Sequence, residues 1–181
     1  MNDRLTKSDW IRHGLKTLAK DGPDALQAGP LSTKLNVSRG SFYWHFRDLA
    51  DFRSQLLRSW LEDSTDQVIR DLEARAGEPD RLKLLIRRAF GQKRNLDRAM
   101  RSWAAVDKEV ARLVASVDDR RVAYIAKLLT QAGVEGERTH HRAAFLYWAY
   151  LGQVVVMAPR HASLSTSALD DISDLFASGG S

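Results

Sequence analysis

Five consecutive ring-bearing residues, Phe42-Tyr43-Trp44-His45-Phe46, constrain this chain more than any other stretch of it. A helix cannot bury side chains on every side, so the run must divide between an inside and an outside. Phe42 and Phe46 lie four residues apart and share one helix face. That face matches Leu31, Leu35 and Val37 as an inward cluster. Tyr43, Trp44 and His45 are left for the outer surface, each with a polar tip on an apolar body.

Around this run the sequence reads as helix throughout. Alternating apolar and polar stretches with β-branched residues and hairpin turns are missing, and no internal repeat is evident. Thr6-Lys7-Ser8-Asp9 has the pattern of a capping box opening a helix over 7–20, with Trp10, Ile11, Leu15, Leu18 and Ala19 on its apolar face. A short helix over 30–35 is expected to start on Pro30, where a missing N–H costs nothing. Asn36-Val37 then turns, and Ser38 is expected to cap a helix over 39–46. Asp48 should cap a long helix reaching about 75. Further helices are predicted over 80–90, 95–106 and 107–131, with Asn95 and Asp107 as caps, and an amphipathic one over 167–177. The four prolines, Pro23, Pro30, Pro79 and Pro159, punctuate segment edges, and the closing Ser178-Gly179-Gly180-Ser181 is expected to be disordered.

A length of 181 residues suits one domain, or a small module fused to a modest second one. The absence of cysteine excludes a disulfide framework, a cysteine nucleophile and a thiolate metal site. The first residues lack the apolar stretch of a signal peptide, so a cytoplasmic protein is expected. The net charge of +5 is unevenly spread: residues 1–58 hold ten Lys/Arg against six Asp/Glu, and residues 59–181 eighteen against seventeen. The basic excess therefore lies in the N-terminal third, which points that third toward a polyanion.

The pattern over 28–46 is two short helices joined by a turn and supported by a first helix, a helix-turn-helix arrangement. A DNA major groove about 12 Å wide admits such a second helix if its leading end is small and rich in hydrogen-bonding groups. Ser38-Arg39-Gly40-Ser41 offers two hydroxyls, one guanidinium able to grip guanine, and a glycine that clears space. A phenol, an indole N–H and an imidazole then follow within reach of phosphate oxygens.

The segment Val37-Ser38-Arg39-Gly40-Ser41-Phe42-Tyr43-Trp44-His45-Phe46 closely resembles the recognition-helix signature of the TetR/AcrR family of bacterial transcriptional regulators. The likeness extends back over 10–22, Leu26 and 31–35 and forward to Phe52, about 50 residues in all. It implies an all-α homodimer, with a three-helix DNA-binding domain over 1–47 and a larger effector-binding and dimerisation domain over 48–181. It further implies release of a pseudo-palindromic operator when a small-molecule effector binds. Carried over position by position, Ser38, Arg39, Gly40, Ser41, Tyr43, Trp44, His45 and Arg47 become the expected DNA contacts. The chain departs from the family in two places. Leu49 replaces a phosphate-gripping lysine, so that either Arg47 or Arg53 takes over the role or one contact is lost. Ala28-Gly29-Pro30 replaces residues that contact bases from the second helix, which concentrates specificity in the third.

Competing readings are few. Ser41, His45 and Asp48 superficially suggest a hydrolytic triad, but so short a helix does not assemble one with an oxyanion hole. Adjacent His140 and His141 point to different helix faces and make a poor metal site. No enzyme activity, cofactor or metal is therefore expected. A DNA-independent helical adaptor or ligand carrier is the alternative from another class.

Two features mark the body. Val110, Val114, Val117, Arg121, Tyr124 and Leu128 trace one helix stripe with an arginine in its middle. Arg121 needs either a carboxylate such as Asp118 or the acid group of an effector lying near Trp103, Tyr124 and Tyr147. Residues 143–158 carry no charge, yet are too short and too interrupted by Gly152-Gln153 to span a membrane. Such a segment suits a dimer interface, with Leu151, Gly152, Val155 and Leu175 as its expected contacts.

Overall fold

Thr6 sets the first helix. In the computed structural model its hydroxyl accepts the Asp9 N–H at 3.2 Å while the Asp9 carboxylate takes the Thr6 N–H at 2.9 Å, the reciprocal box expected of this sequence. Helix α1 (Lys7–Asp21) follows, then one 3-10 turn (Pro23–Ala25), α2 (Ala28–Lys34) and α3 (Arg39–His45). After them come α4 (Leu49–Leu61), a wide π turn (Glu62–Asp66) and α5 (Gln67–Glu73). The remainder is α6 (Arg81–Phe90), α7 (Asn95–Ala104), α8 (Lys108–Gln131), α9 (Glu137–Leu151), a second π turn (Gly152–Val156) and α10 (Thr166–Ala177). The structure describes residues 5–78, 80–91, 95–156 and 163–178, without the side chain at 156. Pro79, Pro159, the end of the uncharged segment at 157–158 and the closing 179–181 lie outside the described residues. Among the described residues there is no strand, so the fold is all-α.

Several helix starts follow the caps read from sequence. Asp48 accepts the Asp51 N–H at 2.7 Å, and Asp107 accepts those of Glu109 and Val110; Ser165, which is not among the caps read from sequence, caps α10. Other expectations need correction. Helix α2 begins at Ala28, with Pro30 at its third position. First-turn N–H groups have no intrahelical acceptor, so proline is tolerated there as well as at the first residue. Ser38 is extended but its hydroxyl caps nothing; its carbonyl instead accepts the Ser41 N–H at 3.0 Å. The helix expected to run unbroken to about 75 widens at Glu62–Asp66, where Thr65 is buried and its hydroxyl is engaged by Arg121. Asn95 lies inside α7 rather than before it.

The chain divides into two compact units, Met1–Ser64 with Asn95–Val114, and Thr65–Arg94 with Ala115–Ser181. The first is built on rings. Trp10, Phe42, Phe46 and Phe52 are all at most 1% exposed, and Phe42 stands 5.1–5.4 Å from each of the other three in centroid distance. Gly14 lets α1 approach α4 closely: a Cβ there would lie 2.6 Å from Phe52 Cζ and 2.8 Å from Leu56 Cδ1. Helix α7 packs along α1, and its buried Asp97 accepts the Trp60 indole N–H at 2.8 Å. Helix α4 thus belongs to this unit, which runs past residue 47.

The second unit packs Leu72, Leu82, Ile86, Leu128, Leu129, Leu146 and Leu169 into one core. Charged pairs tie its surface together. Arg87 meets Asp170 through two hydrogen bonds of 2.6 and 2.5 Å, and Lys83 lies 3.1 Å from Asp174, so α6 holds α10. Arg142 donates to the Phe176 and Ser178 carbonyls at the end of α10. Glu73 gathers Arg81, the Tyr124 hydroxyl and Lys127 within 3.1 Å.

Two outcomes test this packing. Gly14→Ala should destabilise the fold by about 1–3 kcal/mol despite alanine's better helix propensity, because the methyl meets a closed core. Gly29→Ala, where nothing lies within 4 Å of the new methyl, should be neutral or stabilise by up to about 1 kcal/mol. For the same chemical change in two helices, the urea midpoint should fall in Gly14→Ala and hold or rise in Gly29→Ala. The Arg87 hydrogen bonds hold the Asp170 carboxyl below its ordinary value. Its contribution is therefore complete above the unfolded pKa of about 3.9 and is lost as pH falls through the lower folded value. Acid unfolding followed by circular dichroism should begin less steeply below about pH 4 in Asp170→Asn.

Candidate nucleic-acid interface

A left-handed residue makes the turn between α2 and α3. Asn36 has φ 54°, a conformation asparagine accepts more readily than most non-glycine residues. Its N–H bonds the Thr33 carbonyl at 3.1 Å, and the Val37 N–H bonds that of Ser32 at 3.0 Å. These two bonds close the end of α2 as a Schellman motif and redirect the chain into α3.

Helix α3 divides its rings as its sequence requires. Phe42 and Phe46 are buried, whereas Tyr43 is 48% and Trp44 71% exposed. Ser38, Arg39 and Gly40 are exposed and Ser41 half-buried. A Cβ on Gly40 would meet only Ser38 Oγ at 3.7 Å, an ordinary contact, so packing within the chain does not require glycine. Arg39 donates to the Tyr43 hydroxyl at 3.3 Å, with its guanidinium 5.7 Å from that ring's centroid. The arginine is therefore laid along the outer face of α3.

Three expected contacts stand differently from one another. His45 is half-buried and its Nε2–H donates to the Leu5 carbonyl at 2.9 Å, forty residues back along the chain. Arg47 projects outward, its side chain 87% exposed and its Nε 3.8 Å from Asp51 Oδ2. Arg53, the other candidate to replace the missing lysine at position 49, lies with its guanidinium 5.9 Å from the Trp103 ring centroid.

The residues expected around an effector are spread over both units. Trp103, 4% exposed, belongs to the first. Arg121, Tyr124 and Tyr147 belong to the second. The Val110-to-Leu128 stripe is buried as predicted, and Arg121 is half-buried within it. Its Nε donates to Thr65 Oγ1 at 3.0 Å and its guanidinium lies 5.7 Å from the Tyr150 ring centroid. The Tyr124 hydroxyl donates to Glu73, and burial, with that bond second, pushes its pKa up. The Tyr147 hydroxyl donates to Asp118 at 2.5 Å. A groove of about 430 Å³ between α8 and α9 is lined by Asp118, Val122, His140, Ala144, Tyr147 and Trp148. It includes Tyr147 but not Arg121 or Tyr124.

The uncharged segment is the second half of α9 and the π turn after it. In the single chain it is not buried all round: Phe145, Trp148 and Val155 are 56%, 66% and 48% exposed, and Leu175 on α10 is 69% exposed. Leu151 and Gly152 are half-buried. Phe145 and Trp148 were not among the expected interface residues, although their i, i+3 spacing in an uncharged helix is the signal for a shared face. Among the described residues, no group of three or more His, Asp or Glu is placed to hold a metal, and no helix is long and apolar enough to cross a membrane.

No protein-family model and no curated protein matches the sequence. Solved structures do match it in three dimensions over nearly its whole length. The reduced form of NemR from Escherichia coli aligns at TM-score 0.74 and 17% identity, over 93% of this chain and 96% of its own. A protein of Mesorhizobium loti assigned to the TetR family of transcriptional regulators aligns at 0.70 and 15%, over 94% and 92%. A transcriptional regulator of Saccharomonospora viridis, solved in complex with choline, aligns at 0.68 and 15%, over 94% of each chain. The chain has the fold of TetR-family transcriptional regulators.

Proposed function

We propose that this protein is a TetR-family transcriptional regulator, a cytoplasmic homodimeric repressor that binds a pseudo-palindromic operator and is released from it by a small-molecule effector. The observation that carries the DNA-binding part is the outer face of α3. An exposed phenol and an exposed indole flank a pre-oriented arginine and an unobstructed glycine, on the second helix of a helix-turn-helix. Arg39 reads a base edge, and Tyr43 and Trp44 set the register against phosphates. Ser38 and Ser41 add hydroxyls along the same face.

The dimer reading rests on α9 and α10. Phe145, Trp148, Val155 and Leu175 are large apolar side chains left in solvent by the single chain. Pairing α9 and α10 of two copies into a four-helix bundle would cover them. The choline bound by the Saccharomonospora viridis protein illustrates the size of effector proposed. For this chain, Trp103, Arg121, Tyr124 and Tyr147 are the residues proposed to respond to it, with Arg121 as the cation for an acidic group.

Selection of duplexes from a random pool tests the reading. A two-fold symmetric site should emerge, and affinity for it should fall roughly 10³–10⁵-fold between 50 and 200 mM salt if about 6–10 phosphates are neutralised. A pool that yields no preferred duplex would favour the helical adaptor instead. Arg39→Ala should cost about 1–3 kcal/mol at one base position in each half-site and relax the sequence preference there. Trp148→Asp should shift the sedimenting species from dimer to monomer while circular dichroism stays helical; a variant that remains dimeric would move the interface elsewhere.

A further inference from the structure

Resting on the DNA-binding reading above, we propose that Lys7 on α1 and Arg47 in the turn before α4 form a two-cation site for the phosphate backbone of the duplex, with His45 as the positioning residue that assembles it. Nothing in the local sequence connects these residues, which lie forty positions apart. Phe46 brings them together. The Lys7 ammonium stands 5.4 Å from the centroid of the Phe46 ring, and Arg47 is the next residue in the chain. Lys7 is exposed, and the Arg47 side chain is 87% exposed.

Two carboxylates lie near these cations, and their geometry decides whether the charge is available. Asp48 faces back into its own helix, capping the Asp51 N–H. The Asp51 side chain is only 13% exposed; it accepts the Arg47 backbone N–H at 3.1 Å and the Gln55 amide at 2.9 Å. Those hydrogen bonds, Gln55 first, hold the Asp51 carboxyl below its ordinary value, and the charges of Arg47 and Lys7 add to the effect. Lys7 and Arg47 thus both lie within electrostatic reach of one carboxylate that is itself turned inward. The Arg47 Nε approaches it at 3.8 Å, the loose end of an ion pair. The carboxylate that both cations share is turned inward, whereas the two cations are exposed and open to an arriving phosphate.

His45 supplies the assembly. Its Nε2–H holds the Leu5 carbonyl at 2.9 Å, immediately before the Thr6 cap that starts α1. The end of α3 and the start of α1 are thereby fixed to each other, and Lys7 is the first residue of that helix. His45 therefore acts on DNA through Lys7 rather than by its own contact. Arg53, one turn into α4, leans instead toward Trp103 and is not part of this pair.

The test uses the full chain with the duplex recovered by selection and an unselected duplex of the same length, titrated across a salt series. Lys7→Gln should weaken both duplexes by the same factor and reduce the slope of log K against log salt by about 0.9 for each bound head. His45→Ala should produce the same change, and Lys7→Gln with His45→Ala together should lose no more than Lys7→Gln alone. His45→Gln, whose amide can still donate to Leu5, should stay near the wild-type slope, and it keeps the test decisive if His45→Ala unfolds. An unchanged slope in Lys7→Gln, or full additivity of the two substitutions, overturns the proposal while leaving DNA binding intact. A wild-type chain with no salt-dependent duplex binding overturns the DNA reading itself.

Discussion

The ring cluster around Phe42 is the contact on which the first unit depends. Phe42 touches Trp10 of α1, Phe46 at the end of its own helix and Phe52 of α4, so one side chain joins three elements. Fully buried rings of this size each remove a large apolar area from water, and edge-to-face pairs add about 0.5–1.5 kcal/mol beyond that burial. The consequence reaches the surface. Because Phe42 and Phe46 fix the inward face of α3, its helical period leaves Arg39, Tyr43 and Trp44 outward at defined angles. A seven-residue helix is too short to be stable alone; its orientation is an effect of this core. Gly14 completes the arrangement, since a larger residue would hold α4 away from α1 just where Phe52 must reach Phe42.

What could be read from the sequence was what local chemistry determines. The Thr6 box, the Asp48 and Asp107 caps and the division of rings at 42–46 depend on residues within four positions of one another, and each is present. The misplaced start of α2 has a local cause as well, because proline is acceptable at more than one first-turn position. The π turns were not legible. A wide turn at Glu62–Asp66 goes with a buried Thr65 and an arginine from position 121 that holds it, and no propensity in Glu-Asp-Ser-Thr-Asp encodes that distant partner. His45 shows the same limit at the candidate site. Its position in the motif points to a phosphate contact, and nothing local shows that its Nε2 is engaged by a carbonyl forty residues away. The local sequence around Lys7 shows only a helix start, whereas its place beside Phe46 and Asp51 is set across the fold.

Polar groups inside the second unit follow a different logic from those on α3. Arg81 is buried and satisfied by Glu73 and Gln131, while Glu73 also takes the Tyr124 hydroxyl and Lys127. Removing Glu73 would leave the buried Arg81 without its carboxylate, a costly loss, whereas the more exposed Lys127 could turn to solvent. Arg121, half-buried on α8, has the Thr65 hydroxyl and the Tyr150 ring among its contacts, so it links α8 to the π turn after α4 and to α9.

The exposed aromatic residues separate by the same reasoning into two kinds of surface. Tyr43 and Trp44 carry polar tips and stand among serines and an arginine, a composition suited to a wet, charged partner such as a phosphate backbone. Phe145, Val155 and Leu175 have no polar atoms in their side chains, and Trp148 accompanies them. Leaving such groups in water forfeits about 25 cal/mol for each square ångström that a partner could cover. A polyanion would not recover that energy, whereas a second apolar helix face would. The two faces therefore differ as the partners proposed for them differ: a nucleic acid for the α3 face, a second copy of the chain for the α9–α10 face.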